Sequence, residues 1–486
     1  MKTIGLDIGT TTISVVLLDT VTKQVMVVKT IPNTSIVDSP HDFEKLQDPD
    51  WILTQCQKLL AEISATYSQE RIAGIGVTGQ MHGILYVDAK GDAVSPLFTW
   101  QDQRGNLICN CQMMSAASSA KALSVGTNQN KPSGNLSPLR QSYAALAQEV
   151  TGYRLATGFG AVTHFFNSAN DLSPENATCF CTIADFVAMK LAGQAKPLVH
   201  QSMAASMGLF DLKENCFDQQ AIEKLRLHMD IFPKVTAEEC WLGYTEDGIG
   251  VTVALGDNQA SFLGAARGCV DLKTSLNGDD AILLNIGTGS QISIFSEQLG
   301  TVQTGEYRPY LEDSFLWVGS PLCGGYSYHM LKEFFIETLQ IFGATPTVDL
   351  YEAMNQAGKN LYDAMESTYL SVDTRFKGTR NHPDCRGSIT NIAEETWRPD
   401  HLILGFLKGI CRELYEYYQE FPLMDEKYVL IGSGNGLRKN PLLQQICSDM
   451  FDKELIMSML PEEAACGSAF WVAEIAETKY SVLKET

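Results

Sequence analysis

Two short strings hold the clearest chemical pattern in this chain: LDIGT at Leu6–Thr10 and LNIGT at Leu284–Thr288. In each copy a short apolar strand (Thr3–Leu6, Ala281–Leu284) ends in a carboxylate or amide. A Gly-Thr turn follows, then a second apolar strand (Ile13–Leu18, Gln291–Phe295). Such a turn can close on an anion, because glycine lets main-chain N–H groups converge and the hydroxyls after it add donors. One Gly-Thr hairpin is an ordinary structural turn. Two, half a chain apart, read as a duplicated domain with two phosphate-gripping hairpins facing each other across a cleft. The copies differ where charge matters. Asp7 can serve a cation and Asn285 cannot, so the first half would manage Mg²⁺ and the second would hold phosphate.

Other residue types sit where strands end. Asp257 follows the apolar run Val251–Leu255 and precedes the helix-compatible Ala260–Ala266; it is either a general base or a helix N-cap, a position Asp favours. His82 lies in TGQMHG, Thr78–Gly83, where Gly79 and Gly83 admit a ligand close to the main chain. Gln80 and His82 would bond a polyol there, the plainer reading being a satisfied structural histidine. In WQDQR, Trp100–Arg104, an extended backbone puts Asp102 and Arg104 on one side, as substrate contacts or as a solvated ion pair. GSGNG, Gly432–Gly436, is a glycine-rich strand-to-helix turn suited to a nucleotide, or simply a tight connection.

The elements that must position these residues are legible in outline. A helix is expected over Asp50–Tyr67, with Trp51, Leu53, Cys56, Leu59, Leu60 and Ile63 on one face, followed by a buried strand Ile72–Val77. The first thirty residues form a three-strand meander, Val25–Thr30 being its third strand. Strand and helix alternate, which indicates an α/β layer fold. Ser115–Ser137 reads as a long loop, and residues 140–250 as an elaboration on the first domain. Asn440 followed by Pro441 marks a helix start, cap then first turn. The last helix, Glu462–Ala476, carries Ala465, Gly467, Ser468 and Ala469, small residues that permit close backbone packing.

A chain of 486 residues is too long for one core and fits two domains. The boundary is expected near Arg267–Gly268, giving domains 1–266 and 267–486. A net charge of −21 argues against non-specific contact with nucleic acid or an anionic membrane. The opening MKTIGLD predicts no signal peptide, and no apolar run approaches a membrane span. Thirteen cysteines without a disulfide framework read as reduced, mostly buried thiols in a cytoplasmic protein. No residue pattern fixes an oligomeric state.

The order LDIGTTT, GQMHG, TWQDQR, ALGDNQAS, LNIGTGS, CGG, IGSGNGLRKN resembles the FGGY carbohydrate kinases over essentially the whole chain. The resemblance implies a two-domain actin-like ATPase (ribonuclease H-like) α/β fold with an interdomain active-site cleft. It implies ATP-dependent phosphorylation of the terminal hydroxyl of a ketose, with ATP and Mg²⁺. LATGFG at Leu155–Gly160, ALGDNQAS and GTRNHPD at Gly378–Asp384 are most similar to kinases of a seven-carbon ketose, sedoheptulose, with xylulose and ribulose as alternatives. An actin-like ATPase working through conformational change, or an idle sugar-binding regulator, is the more distant alternative. Carried over by motif, Asp257 is the catalytic base, and Met81, His82 and Asn258 hold the sugar, joined by Gln80, Asp102 and Arg104 from the reading of the residues above. Asp7 serves the metal. Gly9, Thr10, Thr11 and Thr12 contact phosphate, as do Gly287, Thr288, Gly289 and Ser290; Gly324, Gly325, Gly434 and Asn435 contact adenosine.

Overall fold

The computed structural model describes residues 1–109, 141–238, 240–269, 280–364, 370–379, 382, 384–421 and 428–485, the last nine by backbone alone. The expected loop Ser115–Ser137, and Arg380, Asn381 and Pro383 of the GTRNHPD string, lie outside the described residues. Two compact units divide the chain: Met1–Ala260 with Ala464–Thr486, and Ser261–Glu463.

In the first unit a seven-stranded sheet runs Trp241–Tyr244, Gly250–Thr252, Ile72–Gly79, Lys2–Ile8, Thr12–Asp19, Gln24–Pro32, with Leu255–Gly256 also paired to Ile72–Gly79. The meander is antiparallel, whereas Lys2–Ile8 and Ile72–Gly79 run parallel, as a helical crossover requires. That crossover is the helix Pro49–Thr66. Asp48 caps it by accepting from the N–H groups of Asp50 and Trp51, and Pro49 opens the first turn. Ile52, Leu53, Cys56, Leu59, Leu60 and Ile63 are buried in the unit's core with Ile4, Leu6, Ile8 and Val15.

The opposite face of the sheet is built for a helix backbone. A Cβ on Gly5 would lie 1.8 Å from the Ala465 carbonyl oxygen, and one on Gly76 would lie 2.0 Å from that of Ser468. Thr3 Oγ1 donates to the Ala469 carbonyl at 2.8 Å. The small residues of Glu463–Glu485 therefore match glycines of the N-terminal sheet. This return explains the difference from a single cut near Arg267–Gly268: the C-terminal helix belongs with the first unit, and the chain changes units within the helix Asp257–Gly268.

The second unit repeats the local plan. Its six-stranded sheet runs Glu306–Pro309, Phe315–Gly319, Ser290–Ser296, Ala281–Ile286, Val429–Ser433, Leu455–Met457. Ala281–Ile286 has an antiparallel hairpin partner on one side and a parallel strand on the other, as Lys2–Ile8 does. Phe262, Ala265, Leu283, Tyr310 and Leu316 form a core on this sheet. Helices Gly324–Ile341, Leu350–Asp363, Pro399–Glu420 and Pro441–Phe451 complete the unit. Among the described residues no helix is long and apolar enough to cross a membrane.

Candidate active site

Side chains hold the first hairpin turn from four directions. Asn33 Nδ2 donates to the Gly9 carbonyl (2.9 Å) and Gln47 Nε2 to the Thr10 carbonyl (2.9 Å). The indole N–H of Trp100 donates to Thr10 Oγ1 (2.9 Å), which in turn donates to Gln80 Oε1 (3.3 Å). Gln80 Nε2 closes the ring by donating to Gln47 Oε1 (2.8 Å). With these carbonyls and side chains engaged inside the protein, the turn is preorganised before any anion arrives.

Asp7 and Asp257 emerge on the two sides of one strand. Asp7 pairs in register with Thr78 of Ile72–Gly79, and Leu255 and Gly256, just before Asp257, pair with Thr78 and Gly79. Two strand spacings, about 10 Å, separate the strand that carries Asp7 from the one that leads into Asp257, and both residues sit at the carboxyl ends of their strands. Both are half-buried, and Asn258 beside Asp257 is buried. The loop leaving the same central strand carries Met81 and His82. His82 takes a left-handed backbone (φ 73°), stacks on Phe159 (4.7 Å between ring centres, 8° between planes), and has Nδ1 2.7 Å from the Ser206 carbonyl. A carbonyl only accepts, so Nδ1 carries the proton and Nε2 is the acceptor of the neutral ring. Asp257, Asn258, Met81 and His82 thus all follow strand ends next to Ile72–Gly79.

In the second unit the hairpin turn is held by backbone. The helix Gly324–Ile341 donates its first N–H groups into the turn: Gly325 to the Gly287 carbonyl and Tyr326 to that of Thr288, both at 2.9 Å. A Cβ on Gly324 would fall 2.2 Å from the Gly289 carbonyl carbon, and one on Gly325 2.4 Å from Gly287 O. Only glycine permits this approach. Gly434, at φ 85°, likewise lies against Ile286, where a Cβ would meet the carbonyl oxygen at 2.5 Å. Beside these turns lies a cavity of about 900 Å³, lined by Gly287, Thr288, Gly325, Gly434 and Asn435, with the rings of Tyr326, Tyr328, His329 and Tyr351 and the side chains of Asn355, Lys439 and Asn440. Asn355 Oδ1 accepts from Tyr328 OH (2.8 Å) and from Asn440 Nδ2 (2.9 Å), fixing that wall. Burial pushes the Tyr328 hydroxyl above its ordinary range, so it stays a neutral donor. Aromatic faces, amides and glycine turns are what a purine nucleoside needs.

Comparison with known proteins fits this geometry. Residues 2–135 match the model of the FGGY family of carbohydrate kinases, N-terminal domain. Those residues are an FGGY N-terminal domain. A mouse sedoheptulokinase is 28% identical over 492 residues, covering 91% of each chain. Among solved structures, a xylulose kinase from Rhodospirillum rubrum superposes with a TM-score of 0.74 at 18% identity, covering 98% of this chain and 91% of the other. A glycerol kinase from Plasmodium falciparum, solved with ADP, gives 0.74 at 16% identity, covering 99% and 92%. The fold is the actin-like fold of FGGY kinases, and the chain is an ATP-dependent sugar kinase.

In this sugar kinase several of the expected site residues have partners within the protein. Asp102 and Arg104 are not a solvated pair: they are 0% and 2% exposed and joined to each other, with Nε to Oδ1 at 2.7 Å and Nη2 to Oδ2 at 3.1 Å. Arg104 Nη1 also donates to Asn167, and its guanidinium lies over the ring of Phe98 at 4.1 Å. The pair knits the Trp100–Arg104 segment to the core. Gln80, buried at 4% exposure, is bonded to Thr10 and Gln47 at the first hairpin. Gly324 sits against Gly289, outside the cavity lining. The residues missed by sequence reading are the cavity tyrosines, His329 and Asn355. Asn440 was legible as a cap, and its Oδ1 does accept from Leu443 N at 3.0 Å; its second role on Asn355 was not.

Proposed function

We propose that this kinase phosphorylates the terminal hydroxyl of a ketose, sedoheptulose to sedoheptulose 7-phosphate, with Asp257 as the general base. The observation that carries the reading is the juxtaposition, on three adjacent strands of one unit, of a phosphate hairpin with Asp7, a second carboxylate two strands away, and the His82 loop between them. That separation leaves room for a phosphoryl group and a sugar hydroxyl. Asp257 accepts the hydroxyl proton as the bond to phosphorus forms. Phosphoryl transfer runs through a loose transition state, so a carboxylate of ordinary basicity suffices and positioning dominates. His82, with a proton on Nδ1, accepts from a sugar hydroxyl through Nε2, while Met81 and Asn258 complete the polyol wall. Adenosine occupies the cavity of the second unit, with Asn435 and Gly434 against it and Gly287–Ser290 on the phosphates.

The residues around Asp7 fit a hydrated cation. Asp7 is half-buried at the carboxyl end of its strand, beside the first hairpin turn, where a carboxylate can meet a metal's water shell. Mg²⁺ bound at Asp7 would neutralise phosphate charge. A reducing, cytoplasmic setting suits the twelve described cysteines, all unbonded.

Sedoheptulose is favoured over xylulose and ribulose by the mouse relative and by the motif likeness; the xylulose kinase structure supports the fold alone. A coupled ATP-consumption assay over C5–C7 ketoses tests the choice, sedoheptulose being expected to give the highest kcat/KM. Xylulose or ribulose ahead by tenfold or more, about 1.4 kcal/mol of transition-state discrimination, would reject the seven-carbon assignment.

A further inference from the structure

The short helix Gln201–Ser206 is tied to both halves of the acceptor site, and no reading of the sequence assigned it a role. Ser202 and Ser206, four residues apart, lie on one face of this helix. Ser202 Oγ accepts from the N–H of Gly256 at 3.0 Å, the residue immediately before Asp257. Ser206 Oγ accepts from the N–H of His82 at 3.1 Å, and its carbonyl accepts from His82 Nδ1 at 2.7 Å. Gly256 belongs to a two-residue strand paired through Leu255 and Gly256 to Ile72–Gly79. The serine hydroxyl takes the Gly256 N–H, a main-chain donor that would otherwise be buried without a partner.

Ser202 is itself held. His200 Nδ1 lies 2.8 Å from Ser202 Oγ and accepts from Ser202 N. The hydroxyl therefore donates to His200 and is left to accept from Gly256. His200 is fully buried, and burial pushes its pKa down to about 3, so the imidazole stays neutral and keeps its acceptor. On the other side, the positive φ of His82 is a conformation a non-glycine residue holds only when its surroundings fix it. The Ser206 contacts to its N–H and ring nitrogen, with the Phe159 stack, fix it here.

We infer that Ser202 and Ser206 are positioning residues that set the base and the sugar-binding histidine at a fixed spacing, Ser202 acting through the Gly256 amide on Asp257 and Ser206 on His82. The inference rests on the roles proposed above for Asp257 and His82. One rigid turn of helix connects two loops that leave different strands, so the acceptor hydroxyl and the carboxylate are registered to each other before substrate binds.

The test separates kcat from KM. Ser202→Ala is expected to lower kcat about tenfold to a hundredfold, as small misplacements of a reacting group do, with ketose KM held within about twofold. Ser206→Ala is expected to raise ketose KM about threefold to tenfold with kcat held within about twofold. ATP KM stays within about twofold in both. Calorimetric ketose titration counts competent sites, so that kcat is expressed per folded site. The decisive variant is the double one: on an Asp257→Asn background Ser202→Ala should cost less than about twofold, since its effect runs through the missing base. Full multiplication of the two effects, or an unchanged kcat per site in Ser202→Ala while Asp257→Asn is inactive, overturns the inference alone. Near-normal turnover in Asp257→Asn removes the underlying base assignment and this inference with it.

Discussion

The two Gly-Thr hairpins share a sequence pattern and a strand topology, yet they are stiffened by different means. The first is braced by side chains drawn from distant positions: Asn33, Gln47, Gln80 and Trp100 converge on Gly9 and Thr10. The second is braced by the backbone of one helix, whose N–H groups reach the carbonyls of Gly287 and Thr288. A side-chain brace tolerates change in the backbone around it and fails when an amide is lost. A backbone brace tolerates many side chains and fails when a methyl group is added. The turn is the same in both units, and each has its own support.

The largest effect expected from breaking this contrast is Gly324→Ala. Its Cβ would overlap the main chain of Gly289, which cannot move without opening the turn. ATP KM should rise tenfold or more, about 1.4 kcal/mol, with loss of second-unit stability in urea melts. Gly287→Ala is the matched control. An added Cβ there meets nothing within 4 Å, so stability should stay within about 0.5 kcal/mol of wild type. Equal destabilisation by the two substitutions would refute the backbone-brace account.

Next in size is Gln80→Ala, which removes the partner of Thr10 and leaves the Gln47 amide oxygen buried without its donor. First-unit stability should drop by about 1–3 kcal/mol in urea unfolding, and kcat should fall with ketose KM little changed. A variant that weakens ketose binding selectively would return Gln80 to the sugar. The smallest effect is Asn435→Leu: Asn435 is exposed and lines the cavity, so a branched side chain there should raise ATP KM about threefold and leave ketose KM alone. Parallel changes in both constants would count against the adenosine assignment.

What the sequence disclosed follows the range of the forces involved. The helix Pro49–Thr66, its Asp48 cap and the Asn440–Pro441 start depend on neighbours within a few residues, and periodicity or capping chemistry suffices to see them. The paired hairpins were visible because duplication wrote them twice. The fate of Asp102 and Arg104 was not visible. Their burial depends on Phe98, Asn167 and Glu44, residues that only the fold brings together. The same holds for the C-terminal helix, whose small residues announced a close partner without naming Gly5 and Gly76. The cavity tyrosines carry no spacing signal at all, because their meeting requires two separate helices to be brought together.

The central claim is that Asp257 acts as the base toward a ketose hydroxyl, and Asp257→Asn tests it most directly. The amide retains the shape and can still bond a hydroxyl, so sedoheptulose binding measured by calorimetry should survive. It cannot take the proton, so kcat for sugar phosphorylation should fall by about 10²–10⁴. A helix cap predicts otherwise, since Asn caps nearly as well as Asp. Near-normal sugar phosphorylation by Asp257→Asn would contradict the account.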